Sequence, residues 1–156
     1  MQKLYENSWI ENLTRETGKL RTYSKFKTML TPENYIFSIK SFEKRKLFTK
    51  LRISSHDLHI ETGRYSKPNK TPVEERICTF CSSNKVEDEY HTIMECSFYA
   101  DIRGPFLKIL DDIIPYFNAL NNEDKFIFIM SFNNGDTEIA KIVVDFVHQI
   151  WNTRKG

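Results

Sequence analysis

The chain has 156 residues, 40% of them hydrophobic and 28% charged, and a formal net charge of +2. These proportions suit a folded globular protein and exclude wholesale disorder, while a count of only five Gly and five Pro disfavours a turn-dense β-sandwich. No apolar run approaches the ~20 residues that span a bilayer, and residues 1–7 lack the apolar core of a secretory signal. The expectation is an intracellular protein with no membrane partner.

The small net charge hides a split. Residues 19–52 hold ten Lys or Arg against two acids, whereas residues 71–145 hold six against fourteen. Such a division fits one surface facing a polyanion, and equally two sets of solvated helix faces.

In chain order, Asn7 or Ser8 caps a helix predicted over 9–16, with Trp9 and Leu13 on its buried side and Gly18 as its stop. Residues 18–28 alternate basic and apolar side chains and read as either an extended segment or a short helix. Thr31, Pro32 and Glu33 supply a cap, a first-turn proline and an acid at the dipole's positive end, so a helix starts there. Ser41 caps a helix predicted over 42–58. Leu47, Phe48, Leu51 and Leu58 fall on one arc of it, and Arg45, Lys46, Lys50 and Arg52 on the other. Glu61, Thr62 and Gly63 read as a helical stop. Residues 64–76, with Pro68 and Pro72, read as an extended linker.

Beyond the cysteines, Pro105 opens a helix carrying Leu107, Leu110, Ile114 and Phe117, which Pro115 kinks or ends. Asn121 or Asn122 caps the segment 123–132. Its apolar run at 126–130 suits a buried helix or a buried strand by periodicity alone, and the helical neighbours favour helix. Residues 133–136 form a turn. The last helix, 137–152, has a wide apolar face of Ile139, Ile142, Val143, Phe146, Val147, Ile150 and Trp151. The expected fold is mainly α, a small helical domain with a Cys-Cys-His-Cys knuckle inserted between helices. It divides into a basic helical segment (1–63), a linker and knuckle (64–103) and a helical segment (104–156) that packs with the first.

All three cysteines, Cys78, Cys81 and Cys96, fall within 19 residues. An odd count without a secretory signal points away from a disulfide framework. Cys78 and Cys81 have Cys-x-x-Cys spacing; His91 follows after nine residues and Cys96 after four more. Four soft or borderline donors from two short segments suit a closed tetrahedral site for structural Zn²⁺. A redox pair at Cys78 and Cys81, or unrelated thiols beside a core histidine, are the other readings; no thioredoxin-like βαβ pattern flanks the pair. His56 and His59 sit at one-turn spacing and read as helix-end histidines before they read as a second metal pair.

The segment from Glu87 through His91 to Cys96, following Cys78 and Cys81, resembles the zinc-binding domain at the C-terminal end of reverse transcriptases of LINE-like (non-LTR) retrotransposons. The stretches 47–64, 72–76 and 99–103 resemble the segments around the ligands in that family. The resemblance implies that Cys78, Cys81, His91 and Cys96 hold zinc. It also implies that the domain holds RNA or DNA near a polymerase body and has no chemistry of its own.

A polymerase needs paired Asp carboxylates for two Mg²⁺ ions. Tyr99-Ala100-Asp101-Ile102 lacks the second Asp and reads as a helix start, and Asp111-Asp112 lies inside an amphipathic helix. No catalytic residue is expected. The expected phosphate contacts are Arg45, Lys46, Lys50, Arg52, Arg64 and Lys67, supplemented by Lys19, Arg21, Lys25, Lys27 and Lys70. Tyr23, Phe26 or Phe42 would stack on unpaired bases. The competing expectation is a zinc-stapled module that docks on another protein and binds no nucleic acid.

Overall fold

In the computed structural model, which describes residues 2–14, 20–131 and 136–156, apolar residues at helical spacing produce seven α-helices and one π-helical turn. The fold is mainly α, with the cysteine cluster between helices. The single β pairing among the described residues is an isolated antiparallel bridge between Ile77 and Val86. The expected stop at Gly18 and the turn at 133–135 lie outside the described residues, as does Lys19.

Helix α1 (Gln2–Thr14) buries Leu13 and half-buries Trp9. A 3₁₀ turn at Tyr23–Lys25 settles the ambiguous basic segment. Helix α2 (Asn34–Ser38) begins later than the Thr31-Pro32 signal predicts. The backbone of Glu33 stays extended, and its carboxylate turns to Lys27 and Arg52 rather than to the helix dipole.

Helix α3 (Phe42–Arg52) is capped by Ser41, whose hydroxyl accepts from the Lys44 amide at 3.4 Å. It ends at Arg52 and does not run to Leu58. Ser54 takes a left-handed φ of 52°, and its hydroxyl donates to Glu89 at 2.6 Å, so the helix cannot propagate. Leu58 still reaches the core, as the residue preceding the short helix α4 (His59–Thr62). Gly63 follows because the Arg76 side chain crosses it; a Cβ there would lie 2.7 Å from Arg76 Cγ and Cδ.

Helix α5 (Ala100–Ile113) starts at Ala100, with Pro105 inside it rather than at its opening. It stops where Pro115 forces Ile114 to extended angles, φ −113° and ψ 114°. Asn121 caps helix α6 (Asn122–Ser131), its side-chain oxygen accepting from the Asp124 amide at 2.8 Å. The apolar run 126–130 is therefore helical. Asp136 caps helix α7 (Thr137–Lys155) by accepting from the Glu138 and Ile139 amides.

Helix α7 occupies the centre and packs against α2, α3 and α5. Val143, Val144, Val147, Ile150 and Trp151 are buried along it, and Phe146 stacks on Phe106 of α5 at 3.8 Å between ring centres. Each such fully buried side chain stabilises the fold by ~1.5–3 kcal/mol. One cluster of buried residues joins Phe48 and Leu51 of α3, Ile93 and Cys96 of the knuckle, and Leu110, Ile129 and Val147 of the later helices.

Arg52 corrects the expectation of a basic outer arc, because it is 1% exposed. It lies one turn beyond Phe48 and shares its inward side. Its guanidinium sits 4.6 Å from the Phe26 ring centre, 4.9 Å from Tyr35, 5.5 Å from Tyr23 and 5.6 Å from Phe48. Nη1 donates to Glu33 at 2.8 Å.

Candidate metal centre

The Ile77–Val86 bridge closes a tight hairpin around the first two ligands. The Cys78 amide donates to Lys85 O and the Glu87 amide to Arg76 O, both at 2.9 Å. Asn84, with φ 54°, turns the chain back. The second pair comes from the π-helical turn His91–Glu95. Asp88 starts that turn by accepting from the His91 amide at 2.7 Å, and the Cys96 amide closes it on His91 O at 2.7 Å. At 3.6 residues per turn, side chains five apart would face roughly 140° away from each other. The i→i+5 bond of the π turn removes most of that offset, so His91 and Cys96 share a side.

The four ligand atoms of Cys78, Cys81, His91 and Cys96 all lie within 4.8 Å of one another. Cys78 Sγ and Cys96 Sγ are 3.9 Å apart, and Cys81 Sγ is 3.4 Å from His91 Nε2. A tetrahedral ion with metal–sulfur bonds of ~2.3 Å and a metal–nitrogen bond of ~2.0 Å sets these edges at roughly 3.8 and 3.5 Å. The residues therefore fit a four-coordinate metal. Cys78, His91 and Cys96 are buried, and Cys81 is at the rim. His91 Nδ1 faces Glu95 at 3.4 Å, and Lys85 holds that carboxylate at 2.8 Å. This outer contact fixes the ring with Nε2 toward the sulfurs.

Burial pushes the Cys78 and Cys96 thiols up, Cys96 to about 12. Burial also opposes ionisation of Cys81, but the Ser83 hydroxyl and amide and the His91 ring outweigh it and bring that thiol down to about 6. A divalent cation among the four donors supplies the positive charge that lets the buried thiols ionise.

Sequence reasoning missed the clamp that carries this centre. Glu87 is 1% exposed. Its carboxylate accepts from the His59 amide at 2.9 Å and from both terminal nitrogens of Arg154, Nη2 at 3.0 Å. Glu89 is 2% exposed and takes Arg21 Nη2 at 2.8 and 2.9 Å, Ser54 Oγ at 2.6 Å and His56 Nε2 at 2.8 Å. Burial alone would raise its pKa, but His56 and Arg21 hold it at about 2. The available signal was the acidic run Glu87-Asp88-Glu89 so close to a ligand, in a segment that must be ordered to deliver it. His56 and His59 belong to this clamp, His59 Nδ1 lying 2.7 Å from Ile77 O.

The six expected phosphate contacts divide. Lys46, Lys50 and Lys67 are exposed and make no ion pair among the described residues. Arg45 is half-buried and donates to the carbonyls of Ile39 and Lys40. Arg64 is half-buried and pairs with Glu61 at 3.3 Å. Arg52 is in the core, where no phosphate reaches it. Arg21 pairs with Glu61 and Glu89, Lys25 with Glu123 and Lys27 with Glu33. Tyr23 and Phe26 line the Arg52 cage, so of the three aromatic candidates Phe42, 67% exposed, is free to stack. Tyr99-Ala100-Asp101 does open α5, and Asp101, Asp111 and Asp112 are exposed along that helix.

No helix among the described residues is long and apolar enough to cross a membrane. Compared with protein-family models, with curated proteins and with solved structures, the chain matches none.

Proposed function

We propose that this chain is a zinc-stapled module that binds nucleic acid and carries out no chemistry of its own. Three thiolates and one imidazole in a closed tetrahedral arrangement are the donor set of structural Zn²⁺, with no position left for a reacting water. The ion would contribute on the order of 10 kcal/mol to folding, chiefly to the hairpin loop 79–86, which has no buried residue of its own. The nucleic-acid reading is supported chiefly by one observation. After internal pairing has consumed Arg21, Lys25, Lys27, Lys44, Arg52 and Arg64, Lys46, Lys50 and Lys67 remain exposed and unpaired among the described residues. The resemblance of 87–96 to retrotransposon reverse-transcriptase tails adds to it.

Metal analysis of the purified chain should give one zinc per molecule, and Cys81→Ser should lose the ion and lower the melting temperature. A fully folded chain without metal sinks the zinc assignment. Single-stranded RNA should bind at low salt and weaken steeply at moderate salt. Equal binding at both ends the phosphate model.

A second reading, docking on a protein such as a polymerase body, is favoured by a different feature. Met29 and Phe37, 66% and 75% exposed, stand at the mouth of a cavity of about 430 Å³. Absence of any nucleic-acid binding at low salt would leave that reading in place.

A further inference from the structure

We infer that the groove between α3 and α7 is a binding site for the phosphodiester backbone of a single-stranded polynucleotide, held by Lys46, Lys50 and Lys155. The inference rests on the nucleic-acid reading and deepens it, because half of the groove comes from α7, outside the basic front segment. The groove has a volume of about 340 Å³, within the range of sites that hold one small ligand unit. Lys46 and Lys50 line it from α3, and His148, Asn152 and Lys155 from α7, over a floor that includes Trp151.

Three observations select an anion. None of the three lysines has an ion-pair partner among the described residues, although Lys44, on the same helix, is drawn to Asp145 at 2.6 Å. Lys46 and Lys50 are four apart on one helix face, a like-charge spacing that destabilises a helix unless an anion intervenes. Glu43 is the one acid lining the groove, so the lining carries more positive than negative charge, and Asn152 and His148 add polar nitrogens 3.3 Å apart.

One observation selects a polynucleotide over a free phosphate. Phe42 is 67% exposed at the start of α3, with Lys46 Nζ 6.0 Å from its ring centre. A ring beside a row of ammonium groups offers a stacking surface to an unpaired base whose phosphate lies in the groove.

The test uses the full zinc-loaded chain and a fluorescein-labelled 12-mer of oligouridylate, read by polarisation at low salt. Lys50→Glu with Lys155→Glu should weaken binding at least tenfold while zinc content and melting temperature stay at wild-type values. Lys108→Glu, on the exposed side of α5, should change it less than twofold, and Phe42→Ala should weaken it severalfold. If the wild type binds and the groove variant binds equally well, the groove assignment falls and the nucleic-acid reading survives. If the wild type does not bind at all, both fall. If inorganic pyrophosphate displaces the oligonucleotide and Phe42→Ala has no effect, the ligand is a small polyphosphate and the polynucleotide assignment is overturned.

Discussion

Arg52 and Glu33 show how a charge survives in this core. Among the described residues the guanidinium has one carboxylate partner, and its Nε and Nη2 have no hydrogen-bond acceptor. Four aromatic rings surround it instead, and desolvated cation–π contacts contribute ~2 kcal/mol or more. Glu33 feels opposing influences. Burial would raise its pKa, but Lys27 and Arg52 outweigh burial and hold it below the ordinary carboxylate value. A lowered folded pKa stabilises the fold above the unfolded value of about 4.5, and that stability drains away as pH falls through the folded pKa. Glu33→Gln should therefore lower the urea midpoint at about pH 6, and the gap to wild type should narrow by about pH 3. A gap that stays constant across the range would mean that Glu33 contributes through shape and not through its charge. The buried role of Arg52 was not legible in the sequence. Its position one turn after Phe48 was visible, but Tyr23, Phe26 and Tyr35 converge on it from two other segments.

At the scale of elements, α7 ties the metal centre to the helical core. Arg154, in its last turn, is 10% exposed at the side chain and pairs with Glu87, which is 1% exposed and nine residues from Cys78. The same guanidinium lies 4.7 Å from the ring centre of Phe80, inside the Cys-x-x-Cys loop. Removing one partner of a buried pair leaves the other charged and unsatisfied, at a cost of ~3 kcal/mol or more. Arg154→Ala should therefore destabilise the chain by about that amount in urea titrations and weaken retention of the metal against a chelator. Loss of stability with unchanged metal retention would show that the clamp serves the core alone. Starts of elements were legible where a cap lies in the sequence beside its helix, as at Ser41 and Asn121. Ends were not. The end of α3 depends on Ser54 reaching Glu89, 35 residues away, and no local signal encodes that bond. The π turn was equally hidden, because the four-residue gap between His91 and Cys96 permits several backbone forms.

Across the whole molecule, much of the charge split closes on itself. Arg21 meets Glu89, Lys25 meets Glu123 and Lys44 meets Asp145, each a basic residue of the front half against an acid of the back half. The totals were legible in the sequence; the partners, 68 to 101 residues apart, were not. The Cys-Cys-His-Cys cluster was legible for the converse reason, since all four residues lie in one short stretch. Internal pairing also separates two responses to salt. Lys25–Glu123 and Lys44–Asp145 are solvent-exposed pairs, worth about 0–1 kcal/mol each and readily screened, while the Glu87 and Glu89 pairs are buried and screened far less. The urea midpoint should thus move little between low and high salt. Phosphate contacts behave differently, because each contact to a single strand adds roughly −0.7 to the slope of log affinity against log salt. Three lysines then give a slope of roughly −2, or about a hundredfold loss over a tenfold rise in salt. Measuring both curves on one preparation separates the two. If the midpoint falls in step with RNA affinity, salt is unfolding the protein and the slope says nothing about phosphates. A flat midpoint with a slope near −2 assigns the loss to the lysines.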